Sequence, residues 1–398
     1  MFSLKGYGKF FGLVLAALFL FSSLYLPTVM AAPLDPVVGE AVRQPVQIIW
    51  QKTKLGKLSG DLLLIPNHNL LLPLGKKALM LNLEGQTVWE WTGSTRGVTG
   101  NPIFTENGIL FMPGSFSFQE LKPNGVAGWN FSIYSSAKGD KQTGLTGGAG
   151  AFLYLPLPDG LYAVDQSGRY TWRFAPWEVK DLDLSKTPKK QWSCLASAAD
   201  AEVVYVVHGA KKEGFRLTAI RNDGKYIGSY WLGDIHQADL LLSPDGRLYL
   251  TVKPKKANAT NNSAIYPFMG SICHPEWSFT LNQDALSPPT RSADDTLYFI
   301  AGSRLYALDA KTGAYKWDNP LYKLASLPPT VDPRTGRIYV GNSEGYLYAL
   351  NREGRLDWSY KLDGTFQGAP LIGPDGCIYV ATQKGSLYKL KDNAVPIN

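Results

Sequence analysis

Short apolar runs bounded by glycine, proline and aspartate turns recur along the chain, and the pattern is clearest near the C-terminus. There DDTLYFIAGSRLYALDAKTGAYKW, GRIYVGNSEGYLYALNREGRLDW and GCIYVATQKGSLYKLKDN superimpose position by position. Tyr298, Tyr339 and Tyr379 are 41 and 40 residues apart, and Tyr306, Tyr348 and Tyr388 are 42 and 40 apart. A period of this length marks stacked repeats whose units cannot bury their apolar faces alone. Each unit predicts four strands. The first begins near Pro289, Pro329 or Pro370, where a proline at a strand start sacrifices no interior ladder bond. The fourth follows an acidic or amide residue and a glycine, which supplies the positive φ of a tight hairpin.

A tryptophan stands four residues after that glycine in five places: Gly85 with Trp89, Gly125 with Trp129, Gly168 with Trp172, Gly313 with Trp317, and Gly354 with Trp358. Two units depart from the spacing, at Gly224, Gly228 and Trp231, and at Pro275 and Trp277. Counting by tryptophan gives eight units, through Trp50, Trp89, Trp129, Trp172, Trp231, Trp277, Trp317 and Trp358. Counting by second strands also gives eight, through Leu71, Phe111, Tyr154, Tyr205, Tyr249, Tyr298, Tyr339 and Tyr379. The last unit lacks a fourth strand, and the segment around Trp50 has no unit of its own. The reading is therefore all-β: an eight-bladed β-propeller of four-stranded antiparallel blades over residues 33–398, its ring closed by the N-terminal strand. The eight tryptophans are expected to dock blade on blade, each burying roughly 150–250 Å².

The segment ALDAKTGAYKW, Ala307 to Trp317, resembles the tryptophan-docking motif of the pyrroloquinoline-quinone (PQQ) repeat family, with Ala307, Asp309, Thr312, Gly313 and Trp317 in matching places. Weaker copies run from Ala163 to Trp172 and from Ala349 to Trp358. The resemblance implies an eight-bladed propeller. That family holds quinone-dependent dehydrogenases and also non-catalytic members such as the scaffold lipoprotein of outer-membrane barrel assembly. Its dehydrogenases carry two adjacent cysteines beside the cofactor, a calcium ion and an aspartate base. Here the closest cysteines, Cys194 and Cys273, are 79 positions apart, so no catalytic, cofactor or metal ligand carries over and no cofactor is expected.

Composition changes the picture at the N-terminus. Lys5 and Lys9 precede an apolar run from Phe10 to Leu26, followed by Pro27, Ala31 and Ala32, which reads as an export signal over residues 1–31 or as a retained anchor. The protein is then extracytoplasmic, whether secreted, periplasmic or at the cell surface, and contacts membrane only through an uncleaved N-terminal segment. Without those two lysines the formal net charge falls from +7 to +5, too diffuse for nucleic acid. Cys194, Cys273 and Cys377 form neither a disulfide framework nor a metal site, and which two would pair is open. His68, His208, His236 and His274 have no zinc spacing, and His208 reads as a strand-end residue.

The remaining signal lies in insertions. Ser132 to Gly147, Ala175 to Gln191 and Pro254 to Gly270 all fall in between-blade or second-to-third-strand connections, which share one propeller face. Loops on a rigid scaffold are where binding concentrates. Trp177, Trp192, Lys186, Lys189, Lys190, Lys253, Lys255 and Lys256 border them, making this the candidate face for a protein partner. The expected function is a non-catalytic, monomeric interaction scaffold in the cell envelope or outside the cell. The alternatives are an envelope-polysaccharide binder and a PQQ-dependent dehydrogenase.

Overall fold

In the computed structural model, described for residues 45–65, 67–93, 101–104, 110–113, 117–132, 146–147, 152–157, 160–179, 193–210, 214–255, 262–270, 272–281, 286–321 and 327–394, strands pair into eight four-stranded antiparallel sheets. The first comprises β2 (Leu63–Leu64), β3 (Leu70–Leu74), β4 (Lys77–Leu81) and β5 (Thr87–Thr92). The second comprises β6 (Ile103–Phe104), β7 (Leu110–Pro113), β8 (Ser117–Leu121) and β9 (Ala127–Ser132). β10 (Thr146–Gly147), β11 (Phe152–Leu157), β12 (Gly160–Asp165) and β13 (Tyr170–Phe174) make the third. The fourth holds β14 (Ser193–Ala199), β15 (Val203–Ala210), β16 (Gly214–Arg221) and β17 (Tyr226–Gly233). The fifth holds β18 (Ile235–Leu242), β19 (Leu248–Pro254), β20 (Ser263–Phe268) and β21 (Phe279–Leu281). β22 (Thr290–Arg291), β23 (Thr296–Ala301), β24 (Arg304–Asp309) and β25 (Tyr315–Pro320) form the sixth, and β26 (Thr330–Val331), β27 (Ile338–Gly341), β28 (Tyr346–Leu350) and β29 (Leu356–Lys361) the seventh. In the eighth, β30 (Leu371–Ile372), β31 (Ile378–Ala381) and β32 (Leu387–Asp392) are joined by β1 (Val46–Lys52), which pairs with β32 from Val46 opposite Asp392 to Lys52 opposite Leu387.

Within a sheet, a row of three residues crosses the second, third and fourth strands. Tyr154, Ala163 and Trp172 form one such row, Tyr298, Ala307 and Trp317 another, and Tyr339, Ala349 and Trp358 a third. The small alanine lets the rings meet over it, with centroids 5.8, 5.8 and 6.1 Å apart. The indole then lies on the third-to-fourth-strand turn of the next sheet, whose glycine has positive φ, +80° at Gly85 and +78° at Gly354. A Cβ at Gly85 would stand 3.1 Å from the Trp50 ring, and one at Gly354 only 2.5 Å from Trp317. Glycine is thus required twice over, for backbone conformation and for the indole's approach. Trp50, Trp89, Trp129 and Trp172 also donate Nε1–H to the carbonyl two residues before that glycine, at Leu83, Pro123, Gln166 and Asn222. An Asx turn builds several of the acceptor loops: Asp165 Oδ1, for example, accepts from the amides of Ser167 and Arg169.

The expectation of eight equivalent, tryptophan-docked blades is corrected here, because the docking series has seven members and not eight. Trp50, Trp89, Trp129, Trp172, Trp277 and Trp317 lie on Gly85, Gly125, Gly168, Gly224, Gly313 and Gly354, and Trp358 donates to Asp392 Oδ1 in the eighth sheet. Trp231 is 53% exposed on β17 and, among the described residues, lies on no turn glycine of another sheet; Arg216 of its own sheet lies over its ring. The register explains why. In the fourth sheet the row reads Tyr205, Ala219, Gly228, so glycine occupies the tryptophan position. Ile272 and Cys273, from the long third-to-fourth-strand connection of the fifth sheet, come within 3.6 and 3.4 Å of where a Gly228 side chain would start, and fill the space.

Removing a docked indole leaves a cavity between sheets. Trp317→Ala is expected to cost about 3–5 kcal/mol, whereas Trp231→Ala should cost less than about 1 kcal/mol, the worth of an exposed cation–π contact. Urea denaturation measures both; equal losses would refute the docking assignment.

Candidate functional site

Four chain exits are pinned to second-to-third-strand turns of their own sheets. Leu55 donates its amide to Gly385 O at 2.9 Å, Gly93 to Lys76 O at 2.8 Å, Leu321 to Ser303 O at 2.7 Å and Leu362 to Gly345 O at 2.9 Å. These bonds hold the between-sheet segments against one face. On that face the segment Lys57–Asp61, after β1, meets Gly341–Ser343 at the end of β27, Thr365–Gln367, between β29 and β30, and Gln383 in the β31–β32 turn. They line a cleft of about 420 Å³.

Its walls are fixed by their own hydrogen bonds. Gln367 clasps one residue from both sides, accepting from Leu58 N at 2.8 Å and donating Nε2–H to Leu58 O at 3.3 Å. Thr365 Oγ1 donates to Ser343 O at 2.9 Å, and Gln383 N to Thr365 O at 2.8 Å. Asn342 Oδ1 accepts from the amides of Glu344 and Tyr346. Asp61 is tied to Asn101, whose Nδ2–H reaches its Oδ2 at 2.6 Å. Phe366, 3% exposed, closes the floor. The side chains of Lys57 and Gln383 extend exposed at the rim. A rigid, polar, open cleft of this kind suits a protruding polar segment of another molecule.

The sequence had placed the binding face on the longer insertions. Lys186, Lys189, Lys190, Trp192 and Lys256 lie outside the described residues. Trp177 sits in the 3-10 turn Pro176–Glu178, half-buried against the seam formed by Phe174, Cys194 and Val206. It packs there and does not stand free as an aromatic platform. Lys253 is half-buried on β19, donating to Gln237 Oε1 at 3.0 Å, and Gln237 in turn donates to Asp239. Burial pushes the Lys253 ammonium down and the Asp239 carboxyl up from their ordinary values. Lys255 is exposed. The structure thus divides these residues between two regions, the seam of the third and fourth sheets and the fifth sheet. The cleft itself was missed, since it joins residues 57–61 to residues 341–383 and only the pairing of β1 with β32 brings those stretches together.

Residues 301–394, about a quarter of the chain, match the family described as outer membrane protein assembly factor BamB. The serine/threonine-protein kinase AfsK of Streptomyces griseus is 32% identical over 106 residues, 24% of this chain, and the match spans only 13% of that kinase's length. Among solved structures, BamB from Moraxella catarrhalis aligns over 87% of this chain and 99% of its own, with a TM-score of 0.62 at 15% identity. A europium-containing methanol dehydrogenase aligns over 87% and 93%, with a TM-score of 0.64 at 13% identity. The Dos1 propeller aligns over 87% and 95%, with a TM-score of 0.65 at 10% identity. At these identities the likeness establishes the fold.

The cysteines, histidines and acidic side chains considered from the sequence are spread through the structure. Cys194, Cys273 and Cys377 form no disulfide and lie in three different stretches of chain, on β14, in the fifth sheet's long turn and just before β31. Among the described residues no three histidine, cysteine, aspartate or glutamate side chains converge on a point. His208 does not offer a base either: it is fully buried inside β15, not at a strand end, with Nε2 2.8 Å from Thr218 Oγ1. Burial first, and the Arg216 charge second, lower its pKa from 6.5 to about 3.

Folded His208 therefore stays neutral where unfolded His208 takes up a proton. Stability is fully present above about pH 6.5 and is lost as pH falls toward 3. Between pH 7 and pH 5 this residue should cost the fold about 2 kcal/mol at 1.36 kcal/mol per pKa unit. Comparing urea midpoints of the wild type and His208→Gln across that range is the check; parallel pH profiles would refute it.

Proposed function

From a chain that carries PQQ-like propeller repeats and is similar to the barrel-assembly factor BamB, we propose an interaction scaffold that presents its loop-bearing face to another protein of the cell envelope. The observation that carries this reading is the cleft of Lys57–Asp61, Ser343, Thr365–Gln367 and Gln383, held rigid by bonds between connections of different sheets. A partner can insert a polar segment there with little reordering of the site, which keeps the entropic cost of binding low. The matching family, described as outer membrane protein assembly factor, supports an envelope setting. So does the N-terminal apolar run, read as an export signal. In this reading the protein binds and positions, and carries out no reaction of its own.

The test is site-specific photo-cross-linking in the native envelope. A photoreactive residue at Gln383 or Lys57 should give a discrete protein adduct. The same residue at Arg352, which lines a smaller hollow formed by the opposite set of turns, should give none. Adducts of equal yield from both sites, or none from Gln383 and Lys57, would overturn the proposal.

A further inference from the structure

Eight strands end the sheets on their fourth-strand side, and β17 is the longest of them at eight residues. One edge of its backbone pairs with β16, and no described strand pairs with the other. Free strand edges are usually guarded by charge, proline, bulges or shortness, because their unpaired amides and carbonyls template a further strand; every fourth strand except β21 carries a bulge, so charge and length are what distinguish them. Glu90, Arg173, Asp318 and Asp357 guard β5, β13, β25 and β29; β21 is three residues long, and β1 ends on Lys52. In β9, which is also uncharged, the Gly128 and Trp129 carbonyls already accept from Gln119 Nε2. β17 reads YIGSYWLG, without a charged residue or a proline.

Two of its side chains are large, apolar and turned to solvent: Ile227, 52% exposed, and Trp231, 53% exposed. Ile227 is the extra residue of a β-bulge and has no partner on β16. Trp231 is the one member of the tryptophan series that docks on no neighbouring sheet, so its exposure is unexplained by the propeller's own packing. The two stand four residues apart with Ser229 midway. Gly228–Trp231 is in regular register, and an antiparallel pairing about a two-fold axis through Ser229 sets Gly228 of each copy opposite Tyr230 of the other and brings the bulged Ile227 beside Trp231 at both ends. Such an interface is self-complementary, each residue pair occurring twice, and aromatic against β-branched is a favourable cross-strand pair. A strand without charge brings no like charges face to face.

We infer that β17 is a dimerisation edge, along which two copies of this chain pair antiparallel around Ser229. The pairing lies on the flank of the fourth sheet and leaves the cleft unoccupied, so it stands independently of the scaffold reading.

Sedimentation velocity on the purified full chain, in a mild detergent that covers the N-terminal apolar run, tests it. A dimer fraction should rise over about 1–100 µM, the range of a small and transient interface. Ile227→Lys should abolish it, Trp231→Ala should weaken it about tenfold or more, and Val88→Lys, at an exposed position of β5, should leave it intact; thermal melts confirm that each variant is folded. A monomer at every concentration, a dimer that survives Ile227→Lys, or one lost equally with Val88→Lys would each overturn the inference.

Discussion

A flat indole lying on a residue with no side chain is the contact on which the rest of this structure depends. A four-stranded sheet has two apolar faces and must bury both against neighbours. Tryptophan supplies the area and the turn glycine supplies the approach. The Nε1–H donated to the carbonyl two residues before that glycine sets the angle at which one sheet meets the next. The contact fixes both partners at once, since the turn that accepts the indole is held by its own Asx bonds and cannot shift without breaking them. Where the chain offers no third-to-fourth-strand turn, the acceptor changes and the geometry persists. In the eighth sheet Asp392 accepts from Trp358 Nε1–H and the Tyr339 hydroxyl and pairs with the Arg337 guanidinium.

The junction between the fourth and fifth sheets uses a different solution. Gly228 leaves a gap that Ile272 fills from the opposite side, so the packing volume comes from a loop and not from the strand. Longer strands accompany the exchange: β14 and β18 run seven and eight residues, where the first strands of the other six sheets run two. They build one apolar cluster across both sheets, with Phe215, Leu217, Leu250 and Phe268 buried and Tyr230 and Tyr266 against them. A broad seam of aliphatic and aromatic side chains thus replaces a single indole.

The sequence carries the four-strand unit and its period openly, because strand, turn and tryptophan are set by local chemistry that repeats. Asp309, Thr312 and Gly313 announce a turn wherever they stand, and Tyr298 and Trp317 announce the two strands that flank Ala307. What local spacing cannot carry is which side of a strand a residue faces once a glycine shifts the count. Trp231 looked like a member of the series because it is near the right place, but its register opposite Arg216 and not Ala219 puts it outside. The cleft was illegible for a related reason. Leu58 and Gln367 are 309 positions apart, neither belongs to the repeat's signature, and their bond follows only from the sharing of the eighth sheet by the first and last strands.

The docking contact also decides where function can reside. Six of the seven docked indoles span to a third-to-fourth-strand turn, so that set of turns is committed to holding the sheets together, and ion pairs such as Arg247 with Glu276 and Arg291 with Asp245 reinforce the same side. Among the described residues, the between-sheet segments and second-to-third-strand turns carry no docking tryptophan. They are free to differ in length and side chain so long as each exit keeps its backbone bond to a turn, as Leu55 does to Gly385. A scaffold divided in this way can change what it presents at Lys57, Ser343 or Gln383 without altering how its sheets pack, and the same separation lets an edge such as β17 expose Ile227 and Trp231 at no cost to the core.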